Sequence, residues 1–289
     1  MMRLDDPPFI LTLSCRDAVG IVADVTGFLA GHGGFIVDSQ QYADLETGRF
    51  FMRVAFVSGG SEPLALADLR DAFAPIGGRH MMDWQLTDSA EKPKLLIAVS
   101  KQGHCLNDLL HRWRTGALSV DVVGVLSNHE DMRRLTEWHG IPYHHLPVTP
   151  ETKAQQEARI AELVATVRAD IVVLARYMQV LSPELARHLA GRCINIHHSF
   201  LPSFKGAQPY HRAHARGVKL IGATAHYVTS DLDEGPIIEQ AVERVDHRDS
   251  IDDLIRLGRD IEAQVLARAV KWQAERRILL NGAKTVVFR

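Results

Sequence analysis

Between residues 95 and 197 the chain repeats one pattern: a short, almost wholly apolar run followed by a stretch with helical spacing. The apolar runs occupy residues 95–100, 120–127, 143–148, 170–175 and 192–197. Runs this short, with little polar alternation, suit strands buried on both faces. Their regular exchange with helices predicts a mostly parallel sheet covered on both sides. The intervening helices are expected to about Arg114, over 130–139 and 151–168, and from Ser182-Pro183-Glu184, where a cap is followed by a first-turn proline. A further strand is expected over 219–228. A closing helix over 250–274 carries Ile251, Leu254, Ile255, Ile261, Val265, Leu266 and Val270 in one apolar stripe, read as core.

The first 86 residues follow a different plan, β-α-β-β-α-β. Phe9, Leu11 and Leu13 alternate along a first strand. Ile21, Val25, Phe28 and Leu29 mark a helix over 18–31, and Gly33-Gly34 breaks the chain before a strand over 35–42. Glu46-Thr47-Gly48 turns into a strand over 50–57, followed by a helix over 64–75 and a strand over 80–86. That order is ferredoxin-like, with both helices on one face of an antiparallel sheet. Residues 87–94 are polar, carry Pro93 and lack periodicity, so they are expected to link a domain over 1–86 to one over 95–289.

Composition narrows the function classes. With 46% hydrophobic and 24% charged residues the chain has the make-up of a soluble globular protein, and a formal charge of −2 speaks against a nucleic-acid surface. Cys15, Cys105 and Cys193 are far apart and form no metal spacing, as expected of reduced thiols in the cytoplasm. No run approaches membrane-spanning length, and the start lacks the apolar core of a secretory signal.

The chemistry concentrates at the end of the last apolar run, Asn195-Ile196-His197-His198-Ser199-Phe200-Leu201-Pro202-Ser203-Phe204-Lys205-Gly206, and in the segment from His226 to Ile238. Residues two apart on a strand share a face, so Asn195 and His197 project together. Asp231-Leu232-Asp233-Glu234-Gly235-Pro236 then forms a turn rich in carboxylates. An amide that donates without changing charge, an imidazole that carries protons near neutral pH and a carboxylate to orient it suit attack on a carbonyl. Among fifteen histidines, His211 and His214 stand three apart, as ligands on one helix face can. No HExxH or third ligand at a suitable offset accompanies them, so no metal is expected.

This ordering resembles the signature of enzymes that use 10-formyltetrahydrofolate, and nearly all 289 residues resemble the formyltetrahydrofolate deformylase family. The resemblance implies an N-terminal ACT domain and a Rossmann-like catalytic domain of the formyltransferase type. Asn195, His197 and Asp233 would be catalytic, with Asp233 preferred to Asp231 because the family motif sets its carboxylate before Glu-Gly-Pro. Met178, Gln179, Val180 and Leu181 would line the pterin pocket. Lys205 and Gly206 would lie near the folate or remain in solvent. Asp17, Gly20 and Ile21, at an ACT-like turn, would receive glycine or methionine as effectors, unless they form only a tight turn and helix cap. A homo-oligomer is implied, without cofactor, nucleic acid or membrane, in one-carbon metabolism and purine biosynthesis.

Related transferases with a phosphorylated amine acceptor carry a Gly- and Ser-rich loop after their first strand. Here that place reads Ser100-Lys101-Gln102-Gly103-His104-Cys105-Leu106-Asn107, too bulky for close backbone approach to a phosphate. Water is therefore the expected nucleophile. The alternatives are formyl transfer to an amine, or a degenerate amino-acid-binding regulator.

Overall fold

The structure is a computed structural model and describes residues 7–60, 64–201 and 209–289. The chain divides into two compact units. One comprises residues 1–92, 275–279 and 286–289, the other residues 93–274 and 280–285.

In the first unit the elements are β1 (Phe9–Arg16), α1 (Ile21–Gly31), β2 (Gly34–Asp44), β3 (Arg49–Ser58), α2 (Leu66–Arg79) and β4 (Asp83–Asp88). The sheet order β2-β3-β1-β4, with every pair antiparallel, is the ferredoxin-like arrangement expected. Leu11 and Leu13 of β1 and Met52, Val54 and Phe56 of β3 face one way. They pack against Ile21, Val25 and Leu29 of α1 and Phe73 of α2. Each such side chain fully buried contributes roughly 1.5–3 kcal/mol, so period-two strands against period-3.6 helices account for this layer.

Two boundaries differ from expectation. Helix α2 runs through Pro75 to Arg79 rather than ending there. Phe73 is buried before the proline, and Gly77 sits so close beneath Trp84 that a Cβ would strike the indole, so packing on both sides outweighs one lost backbone hydrogen bond. The expected linker over 87–94 is also shorter. Thr87 and Asp88 pair with Ile10 and Phe9 in the sheet, and Lys94 already belongs to the next strand. Nor do residues 95–289 all belong to the second unit. The buried Arg53 guanidinium donates to the Glu275 carbonyl oxygen at 3.2 and 3.1 Å and to Asp38 at 2.8 Å, tying residues near the end of the chain to the first unit.

The second unit contains β5 (Lys94–Val99), α3 (His104–Arg114), β6 (Asp121–Ser127), α4 (Arg133–Trp138), β7 (Tyr143–His145), α5 (Lys153–Thr166), β8 (Ile171–Leu174), α6 (Pro183–His188), β9 (Cys193–His197), α7 (Pro209–Arg216), β10 (Leu220–Tyr227), β11 (Ile237–Arg244) and α8 (Ile251–Ala274). Its sheet runs β11-β10-β9-β8-β5-β6-β7. The five strands from β9 to β7 are parallel, and β10 and β11 are antiparallel. Successive crossovers turn in opposite directions from β5, so the loops after β5 and β8 diverge at the switch point where such sheets bind ligands.

The cap expected at Ser182 is present. Leu185 N donates to Ser182 Oγ at 3.2 Å, and Ser250 and Asp253 cap α8 reciprocally, at 3.0 and 3.2 Å. Strand β11 was not expected, nor was the hairpin of β12 (Ile278–Asn281) and β13 (Lys284–Val287) around Gly282. Among the described residues no helix is long and apolar enough to cross a membrane.

Candidate active site

Strand β9 carries Asn195 and His197 to the carboxyl end of the parallel sheet, and antiparallel β10 sets His226 directly opposite Asn195. A register shift at Ala225–His226 marks a bulge in the pairing with β11, a device that re-aims side chains. The turn after β10 then folds back against its own strand. Only glycine fits at position 235, because a Cβ there would run into the Tyr227 carbonyl oxygen. Within that turn Asp233 adopts a left-handed conformation, φ +58°, which brings its carboxylate onto the two histidines.

Hydrogen bonds fix the proton positions. His226 Nδ1 lies 2.9 Å from the Tyr227 carbonyl oxygen, which can only accept, so the proton sits on Nδ1 and Nε2 accepts. Asn195 Nδ2 accordingly donates to His226 Nε2 at 3.2 Å, leaving its second N–H and its oxygen for other partners. His197 Nδ1 lies 3.3 Å from Asp233 Oδ2, and His226 Nε2 lies 3.7 Å from Asp233 Oδ1. With Nδ1 donating to the carboxylate, the lone pair of His197 is on Nε2, a buried atom with no hydrogen-bond partner among the described residues. His197, and after it His226, holds the Asp233 carboxyl well below the usual carboxylate range, against the opposing effect of burial. Its side chain is only 16% exposed, whereas Asp231 is on the surface of the turn.

His198 stacks at a tilt on His197, ring centroids 4.8 Å apart. Burial, and then the Arg176 charge, pushes its pKa down to about 4, so it is neutral where His197 has to carry protons. Thr224 steadies the segment that follows, donating to the Ser199 carbonyl at 2.9 Å and accepting from Leu201 N at 3.1 Å.

These groups open on a cavity of about 620 Å³, within the range typical of small-molecule sites. Asn195, His197 and Asp233 line it together with Met178, Gln179, Val180 and Leu181, so the structure unites seven residues that the sequence had singled out. The loop is anchored from behind. Met178 N donates to Ser100 Oγ at 3.0 Å, Ser100 Oγ donates to Asn128 at 2.7 Å, and Ser182 N donates to Glu157 at 2.8 Å. Met178 and Val180, 59% and 54% exposed, thus present apolar side chains from a fixed backbone.

Residues 93–270 match the formyl transferase family. A formyltetrahydrofolate deformylase of Corynebacterium sp. strain P-1 is 54% identical over 280 residues, 97% of this chain and 98% of the relative. The crystal structure of a formyltetrahydrofolate deformylase from Pseudomonas syringae pv. tomato superposes with a TM-score of 0.95 at 52% identity, covering 98% of this chain and 95% of that one. A deformylase from Burkholderia mallei gives 0.93 at 55% identity, with 98% and 100% covered. The chain belongs to the formyltetrahydrofolate deformylase family.

Not every expected deformylase site residue is placed. Lys205 and Gly206 lie outside the described residues. Asp17, Gly20 and Ile21 fall in the first unit, where Gly20 precedes α1 with φ +98° and Asp17 N donates to the Gly48 carbonyl at 2.9 Å. Ile21 is buried in that unit's core and has only its amide to offer a ligand.

Two groups escaped the sequence reading. His226 stands at the head of its segment with no role assigned to it, although its position opposite Asn195 follows once the two strands are paired. Glu262, inside the apolar stripe of α8, is only 2% exposed and lines the same cavity. Among the described residues, His104, Cys105 and Glu262 form a group with metal-like spacing. Its chemistry does not suit a cation. The Arg176 Nε lies 3.3 Å from the same Glu262 oxygen that His104 contacts, and burial followed by the Glu262 charge pushes the Cys105 thiol well up.

Proposed function

We propose that the chain hydrolyses 10-formyltetrahydrofolate to tetrahydrofolate and formate, and that Asn195, His197 and Asp233 perform the step. The observation that carries this reading is the buried Nε2 of His197, without a partner among the described residues, whose Nδ1 faces Asp233 and whose strand neighbour Asn195 has, among those residues, a second N–H to give. Water attacks the formyl carbon as His197 Nε2 takes one of its protons, with the imidazolium stabilised by Asp233. The formyl oxygen becomes an oxyanion that accepts from Asn195 Nδ2–H. The carbon–N10 bond then breaks, the amine receives the proton from His197, and the acid formed releases its remaining proton to give formate. Met178 to Leu181 supply apolar walls and backbone groups for the flat pterin, and no step requires a cofactor or metal.

Formate release with 10-formyltetrahydrofolate as the only substrate tests this against transfer to an amine. The expected result is one formate per folate consumed, undiminished by chelators and by added amines. Folate consumption that starts only when an amine is supplied would make the chain a transferase.

The first unit acts, in the same proposal, as an ACT-type regulatory module of a cytoplasmic homo-oligomer. Its β2-β3-β1-β4 order and the left-handed Gly20 at the head of α1 support this, because amides exposed at a helix start suit an amino-acid carboxylate. Calorimetry should show glycine or methionine binding to the wild type and weaker binding to Gly20→Val, in which a β-branched residue must take φ > 0. If neither amino acid binds, the unit is left with assembly alone.

A further inference from the structure

Glu262 is unusual in its place. It sits in the buried stripe of α8, lines the cavity that holds His197, and has both carboxylate oxygens engaged from within the protein. Tyr210 Oη donates to Oε1 at 2.8 Å, and His104 Nε2 donates to Oε2 at 2.9 Å, with Arg176 Nε at 3.3 Å from the same oxygen. Burial pushes the Glu262 carboxyl up, but His104 and Arg176 outweigh it and the net direction is down, so the group is an anion.

Three separate features build this cluster. His104 opens α3 at the place where a phosphate-binding loop would need small residues. Arg176 takes a left-handed backbone, φ +64°, as its carbonyl accepts from Ser100 N at 3.2 Å and its Nη2 donates to Gln102 at 3.2 Å. Gly258, one turn before Glu262, lies where a Cβ would strike the Tyr210 hydroxyl. A glycine inside a helix is unfavourable relative to alanine, and here it lets Tyr210 reach Glu262.

A carboxylate with free oxygens in the wall of this cavity would hold an amine, through N–H donation, in the same space that His197 lines. We propose that Tyr210, His104 and Arg176 occupy Glu262 so as to deny amines that contact, which makes the cluster the determinant of water as formyl acceptor. The proposal rests on the hydrolase reading and deepens it. Tyr210 and His104 act on nucleophile choice without touching the reacting atoms, so they are specificity residues rather than catalytic ones.

The test is product partition. Wild type, Tyr210→Phe and His104→Ala are given 10-formyltetrahydrofolate with glycinamide or hydroxylamine, and formate and N-formyl product are both quantified. Wild type should yield formate alone. Tyr210→Phe frees Oε1 and His104→Ala leaves Oε2 with Arg176 alone, and either should raise the ratio of N-formyl product to formate by at least about tenfold, the discrimination one pocket group commonly supplies. Adding Glu262→Gln to Tyr210→Phe should abolish that gain, because the freed carboxylate is what holds the amine. Tyr210→Phe removes a single oxygen and keeps the test open if His104→Ala does not fold. Folded variants that keep the wild-type ratio, even with lowered thermal midpoints, would show a purely structural cluster and overturn the proposal. A wild type that consumes no folate without amine would instead overturn the hydrolase reading beneath it.

Discussion

Asp233→Asn should lower turnover by about 10⁴-fold while leaving folate affinity largely unchanged, the effect seen when a carboxylate that orients a catalytic imidazole is replaced by its amide. The amide is nearly the same shape, and asparagine tolerates the left-handed conformation that residue 233 adopts, so the turn should persist. What changes is the proton. An amide N–H facing His197 Nδ1 favours the tautomer with its hydrogen on Nε2, and no base is left to face water. Asp231→Asn, altering an exposed carboxylate, should keep near wild-type turnover; the opposite outcome for the pair would transfer the role to Asp231. The Asp233 carboxyl is held below the usual range by His197 and His226. Its stabilising contribution is therefore present above the ordinary carboxylate pKa of about 4 and is lost only as pH falls through its lower native value. The acid limb of turnover should accordingly lie with another group.

Asn195→Ala should lower turnover by ~10²- to 10³-fold, the cost of one oxyanion donor, with little change in substrate binding. The variant also strips His226 Nε2 of its donor, so Asn195→Asp is the useful companion. It keeps the side-chain volume but places a carboxylate where negative charge develops, and should be at least as inactive as the alanine variant. A loss confined to substrate affinity in Asn195→Ala would remove Asn195 from the chemical step.

The catalytic unit's architecture was legible because its strands are short apolar runs and its helices carry clear stripes. Where the reading failed, a local rule met a tertiary one. Pro75 marks a helix end only if nothing holds the chain beyond it, and the fit of Gly77 against Trp84 does so. Strand β11 combines Ile238 with Glu239, Glu243 and Arg244, so its alternation is blurred, and its partner β10 decides it. The C-terminal hairpin did have a local signal, Asn281-Gly282 between apolar residues, with φ +61° at the glycine.

The site divides in the same way. Asn195 and His197 are two residues apart on one strand, so their meeting is a local property. Asp233 follows from a turn that only Gly235 permits. His226 depends on the β9–β10 register, a long-range fact once both strands are assigned. Glu262 was hidden because helical periodicity counts apolar positions, and a buried acid satisfied by Tyr210 and His104 leaves no trace in that count.

Water activated at His197 Nε2 is the nucleophile of the proposed reaction. The most direct test is a single turnover of 10-formyltetrahydrofolate in ¹⁸O-water, without amine, followed by mass analysis of the formate. One ¹⁸O in every formate released is the predicted result, with Asp233→Asn forming that labelled product too slowly to be seen on the same timescale. Formate free of label, or a formyl group retained on the protein or on another acceptor, would contradict it.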